Sequence, residues 1–198
     1  MSASVGVEHQ TNALRAATHV SVDDVRRLYV ELSPELRQGL ARLAGPMLDP
    51  DDLLHEVFVV ALRRREALGA ALSPRAWLYG IAVKLTASRR RVATARRFLG
   101  LDEARSETTG DSPARTMEQR DAAHTVQRVL NALPAAKRDV VVLFELQGLS
   151  GEEISAVLGI PVQTVWTRLF HARKAFAAAL ARLEVTEQRT SGVAGGVS

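Results

Sequence analysis

From about Ser21 to Arg97, and again from His124 to about Glu184, apolar residues recur at three- and four-residue spacing, the period of one helix face. Val25, Leu28, Tyr29 and Leu32 make the first stripe, and Leu36, Leu40 and Leu43 continue it beyond "SPE". There Ser33 suits a cap and Pro34 a first turn, so the spacing predicts a new helix. After "GPMLDPDD", Leu53, Val57, Val60 and Ala61 share a face; after "ALGAALSP", Leu78, Ile81, Ala82 and Leu85 do. The run "VVVLF" at 140–144 would suit a strand, but no partner strand is visible and Pro134 to Leu146 is a helix-length segment. The pattern predicts an all-α fold of two small helical domains, 21–97 and 124–184. A flexible acidic linker at 98–123 joins them, and flexible tails occupy 1–20 and 185–198.

The stretch from Gly148 to Phe176 carries the most local information. Ser150 and Glu153 have capping-box spacing, and Ile154, Val157 and Leu158 follow as a buried face. Gly159 suits a left-handed helix end, and Pro161 a restart. In the second helix Val162, Val165, Leu169, Ala172 and Phe176 should face the core, while Gln163, Thr164, Thr167, Arg168 and His171 point elsewhere. Two helices across a tight turn, the second with polar outward residues, describe a helix-turn-helix, whose second helix enters the major groove. An ordinary helical hairpin has the same periodicity.

Charge favours the DNA-binding reading. The 198-residue chain has a net charge of +4 and a pI of about 10.1. The positive charge is uneven. Pro74 to Arg97 holds seven basic residues and no acid, and Thr164 to Arg182, which includes Lys174, holds four and no acid. One-signed helices in both modules suggest a shared polyanion. There is no cysteine, which excludes disulfides and Cys-ligated zinc. No metal or other cofactor is expected, and no apolar run approaches a membrane span, so a cytoplasmic protein is expected. Enzyme chemistry finds no support. His9, His19, His55, His124 and His171 are scattered, and "HEVFV" lacks the second histidine of a zinc protease helix.

"LPAAKRDVVVLFELQGLSGEEISAVLGIPVQTVWTRLFHARKAF" resembles region 4 of bacterial RNA polymerase sigma factors, and "DPDDLLHEVFVVAL…SPRAWLYGIAVKLTASRRR" resembles region 2. The short length and missing region 3 point to the extracytoplasmic-function (ECF) subgroup. The resemblance implies a non-enzymatic factor that binds core RNA polymerase and promoter DNA, opens the promoter, and is held in check by an anti-sigma factor. It places Asp52, Leu53, Glu56 and Phe58 on the polymerase-docking helix. It places Arg75, Trp77, Lys84, Arg89, Arg90 and Arg91 on the helix that reads and opens the -10 element, cations serving phosphates, with Trp77 and Tyr79 available for unstacked bases or for packing. It places Gln163, Thr164, Trp166, Thr167, Arg168, His171 and Lys174 at the -35 element.

Several positions depart from that pattern. Gly80 stands where the family commonly has Arg, Lys84 where it has Asn, and the 68–74 loop is aliphatic and small. Gly151 stands where an aromatic is frequent, Trp166 replaces a Lys or Arg, and His171 replaces an Arg. Trp166 has three open readings: a DNA contact, a partner contact, or packing over the stem of a nearby Arg. Two rival functions stay open as well, a stand-alone helix-turn-helix regulator and a sigma-like accessory factor without promoter opening.

Overall fold

The computed structural model describes residues 20–100, apart from Met47 and Leu72, and residues 116–194. Most of the expected N-terminal tail, positions 101–115 of the expected linker and the last four residues lie outside the described residues.

Helix α1 spans Val22–Ala44. Ser21 caps it reciprocally: its hydroxyl accepts the Asp24 amide N–H, and the Asp24 carboxylate accepts the Ser21 N–H. The predicted restart at Ser33–Pro34 is absent, and Pro34 sits inside α1. The Ser33 hydroxyl donates to the Tyr29 carbonyl instead of capping a new helix. An interior proline costs about 3 kcal/mol. The buried stripe Val25, Leu28, Leu32, Leu36, Leu40 and Leu43 runs unbroken past it, and each such side chain contributes roughly 1.5–3 kcal/mol on burial. The stripe therefore wins.

Helix α2 spans Pro50–Arg63 and is capped by Asp49; a short α3 covers Arg65–Leu68. Helix α4 spans Pro74–Phe98, with the Ser73 hydroxyl accepting the Ala76 N–H. α1, α2 and α4 pack on one another as the first bundle.

In the second half, α5 spans Met117–Ala132 behind a Thr116–Gln119 capping box, so helix begins well inside the stretch read as linker. α6 spans Ala135–Val141 and continues as a π-helical turn, Val142–Leu146, so "VVVLF" is helical as its flanks suggested. α7 spans Gly151–Leu158 and α8 Val162–Ala194. α8 thus carries helix through most of the expected C-terminal tail. Among the described residues there is no strand.

The two halves do not stand apart. One hydrophobic cluster includes buried residues of both, α4 packs on α7, and α1 packs on the π-helical turn. Arg138 sits at the joint, 8% exposed. Its guanidinium donates to the carbonyls of Leu130 (2.9 Å), Asn131 (3.2 Å) and Leu133 (3.2 Å) in its own half, and of Leu43 (3.4 Å) in the other. It thereby supplies donors to carbonyls at the C-terminal ends of two helices, where intrahelical partners run out. Burial, and then the nearby Arg90, pull its pKa down. Gly45 ends α1 with φ 73°, and a Cβ there would lie 3.2 Å from Asn131 Oδ1 and 3.3 Å from Arg138 Nη1.

Candidate nucleic-acid interface

The hairpin is built as its local chemistry dictates. Ser150 and Glu153 satisfy each other's backbone N–H groups at the start of α7. Gly159 ends that helix in the left-handed region (φ 64°, ψ 39°), and the Ser155 hydroxyl donates to the Ile160 carbonyl across the turn (2.6 Å). Val165, Leu169 and Ala172 hold α8 in the core. Val162, predicted inward, is partly exposed because it lies in the first turn, at the edge of that stripe. Gln163, Thr167, His171 and Lys174 are exposed, as sequence reasoning placed them. Thr164 and Arg168 are half-buried; burial raises the Asp139 pKa, and Arg168 is near enough to be the smallest of the charges that oppose the rise. Phe170, which sequence reasoning missed, is 54% exposed beside this row. The Lys174 ammonium lies 4.5 Å from its ring centroid, and the His171 ring packs edge-on at 5.4 Å. Its signal was its place next to Leu169, off the buried stripe.

Trp166 does not lie over the stem of an Arg, and it is 40% exposed, which leaves one side of the ring open to DNA or a partner. Its indole lies on Gly151: a Cβ there would come within 2.5 Å of Trp166 Cζ2. Phe144 meets the same indole edge-to-face at 5.4 Å, and the Arg173 guanidinium sits over Phe144 rather than over the Trp. Two positions singled out in the sequence therefore meet: the space that a side chain at 151 would take is filled from 166. Trp166 braces α7 against α8 with one side of its ring and keeps the other exposed.

On α4 most of the expected strand-binding cations meet partners within the chain. Arg75 donates to Glu35 (Nε to Oε1, 2.6 Å) and to the Gln147 carbonyl. Arg89 pairs with Glu56. Arg90 donates to the Leu43 carbonyl (3.0 Å) and to Asp139 (3.4 Å). Lys84 and Arg91 are exposed and make no ion pair among the described residues. Trp77 is half-buried and packs on the core. Tyr79 is 1% exposed, its hydroxyl donates to Gln147 Oε1 (2.5 Å), and burial followed by the Glu35 charge pushes its pKa up. Its ring is closed to base stacking, because it fills the space over Gly39, where a Cβ would lie 2.7 Å from it.

On α2, Asp52 is exposed and Glu56 half-exposed, whereas Leu53 and Phe58 are 2% and 5% exposed. Phe58 packs edge-on against Tyr29 at 4.9 Å. Leu53 and Phe58 are thus core residues that set the helix and offer no outward contact. The apolar groups that do face outward on α2 are Val59 and Leu62, each one helical turn beyond a predicted contact or its neighbour.

Models of two families match the chain, sigma-70 region 2 over residues 28–103 and sigma-70 region 4 over residues 123–176. The ECF RNA polymerase sigma-E factor of Escherichia coli K12 is 35% identical over 140 residues, covering 66% of this chain and 73% of that one. The RNA polymerase sigma-H factor of Pseudomonas aeruginosa is 33% identical over 156 residues, covering 71% and 78%. Two solved structures share the fold. The sigma factor RpoE of Bartonella quintana, crystallised with the anti-sigma factor NepR, superposes with a TM-score of 0.65 at 21% identity, covering 81% of this chain and 98% of that one. CnrH with the cytosolic domain of CnrY gives 0.62 at 22% identity, covering 89% and 97%.

Proposed function

The chain belongs to the ECF sigma factors of bacterial RNA polymerase, and on that premise we propose how its faces divide the work. It is a promoter-directing initiation factor, whose partners are core polymerase and promoter DNA. The outward face of α2, Asp52 and Glu56 with Val59 and Leu62 beside them, docks on polymerase. Acids next to exposed aliphatics suit a partly buried contact with a basic surface. The open cations of α4, Lys84 and Arg91, share one face and hold the -10 strand there; Arg75, Arg89 and Arg90, on the other side of the helix, are engaged within the chain. The row Gln163, Thr167, Phe170, His171 and Lys174 faces the -35 element, where an amide, a methyl-bearing hydroxyl and an aromatic edge can meet base edges. The observation that carries this reading is the pairing of matched regions 2 and 4 with a helix-turn-helix whose second helix keeps that row open.

No catalytic role is assigned to any residue. Among the described residues no helix is long and apolar enough to cross a membrane, and we place the protein's work in the cytoplasm, with an anti-sigma factor as its regulator. The test is run-off transcription with core polymerase from the same organism. Discrete starts are expected with the wild type, and their loss with Val59→Arg, which sets a cation on the docking face without touching an internal ion pair. Glu56→Arg should act likewise, although it also frees Arg89. Gel shift by the chain alone with no polymerase-dependent starts would instead favour the stand-alone regulator.

A further inference from the structure

We propose that α8 reads its DNA element as A·T pairs, through thymine methyl groups met by an exposed apolar row, Val162, Trp166 and Phe170. The inference rests on the assignment of α8 to the -35 element. The three residues stand at i, i+4 and i+8, so they follow one another along one side of the helix. They are 37%, 40% and 54% exposed. At about 1.5 Å per residue the row runs about 12 Å, or roughly three to four base-pair steps. Neighbours hold both rings. Trp166 rests on Gly151 and meets Phe144 edge-to-face at 5.4 Å. Phe170 has the Lys174 ammonium 4.5 Å from its centroid and the His171 ring edge-on at 5.4 Å.

In the major groove guanine is met by a bidentate Arg or Lys, adenine by a bidentate Asn or Gln, and thymine by apolar contact with its methyl group. No arginine stands within the row. Arg168 points to the opposite side of α8 and is half-buried, near the Asp139 charge. Arg173, which pairs with Glu145 at 2.6 Å, and Lys174 lie beyond the C-terminal end of the row. A helix seated by its N-terminal residues brings that end to phosphates, which a lysine serves as a point charge. What stands exposed beside the row is Gln163 and Thr167, an amide suited to adenine and a second methyl group. Thr164 to Arg182 holds four cations and no acid, so the surface around the row favours a polyanion over an apolar protein face.

Deoxyuridine in place of thymine removes the methyl group and keeps the base pair. The starts found by run-off transcription supply the promoters, and each thymine of their upstream elements is replaced in turn. Holoenzyme should bind about fourfold more weakly for each contacted methyl that is lost. Phe170→Ala, at an exposed position, should keep the helical signal and abolish the penalty at one thymine while leaving it at the others. Upstream elements built around guanine, binding indifferent to every replacement, or a Phe170→Ala chain that keeps every penalty would overturn the proposal and leave the sigma assignment standing. An absence of polymerase-dependent starts counts against the sigma assignment itself. Duplexes selected from a random pool by the full chain alone then take the place of the promoters. The same penalties on those duplexes support the methyl reading; their absence, or a pool from which no sequence is selected, refutes it.

Discussion

Along α4, Arg75, Arg89 and Arg90 each meet an acceptor belonging to the chain itself, whereas along α8 the row Gln163, Thr167, His171 and Lys174 faces solvent. Both helices carry cations and no acid over long stretches. The cause of the difference is their neighbours. α4 lies between α1 and α2 on one side and α7 on another; α1 brings Glu35, α2 Glu56 and α6 Asp139 within reach of its cations. α8 packs through one stripe and leaves its other side open. A basic helix is therefore a reservoir of donors, and the surrounding fold decides which of them are available to a polyanion. α2 repeats the contrast within three residues, since Glu56 and Val59 look outward while Phe58 between them is buried.

The largest expected effect breaks a buried side of this contrast. Phe58→Ala should lower stability by about 3–5 kcal/mol in chemical denaturation, as a truncated core aromatic does. Val59→Ala should stay within about 0.5 kcal/mol of the wild type. Equal costs would show that the two faces of α2 are not distinct. Next in size is the brace between α7 and α8. Gly151→Tyr should destabilise by about 1–3 kcal/mol, because its ring needs the space held by Trp166. Trp166→Lys in the same background should recover most of that loss, and a double-mutant cycle measures the coupling. Purely additive changes would show that Trp166 does not brace the two helices.

A smaller effect separates the two classes of cation on α4. Arg91→Ala should reduce the salt slope of promoter binding by about 1 and leave the melting temperature unchanged. Arg90→Ala should instead lower the melting temperature, because it strips a donor from the Leu43 carbonyl and from Asp139. The smallest effect is one of pH. Burial raises the Asp139 pKa above the ordinary carboxylate range, against the opposing pull of Arg90, Arg138 and Arg168, none of which titrates near neutrality. A carboxyl that binds its proton more tightly in the folded chain stabilises the fold as pH falls, and that stability is lost as pH rises through the raised pKa. The denaturation midpoint should rise modestly as pH is lowered through the raised Asp139 pKa, and Asp139→Asn should remove that part of the dependence.

Much of this protein was legible in its local sequence. The periodic stripes, the capping pairs Ser21–Asp24 and Ser150–Glu153, and the left-handed Gly159 are determined by residues a few positions apart, and helix and turn chemistry act over that range. The open row of α8 follows from the same period. Pro34 was misjudged because a local penalty was weighed without the buried stripe that overrides it. Leu53 and Phe58, expected to dock, are buried, and Tyr79 takes the packing place left open for it, because a side chain's face tells which way it points and not what covers it. Only the tertiary structure decided that Trp166 fills the space left by Gly151, that Arg138 joins the ends of two helices, and that Arg75 and Arg90 answer to Gln147 and Asp139. Those pairs lie tens of residues apart in most cases, and a contact of that kind is set by how whole helices pack, which no short window of sequence contains.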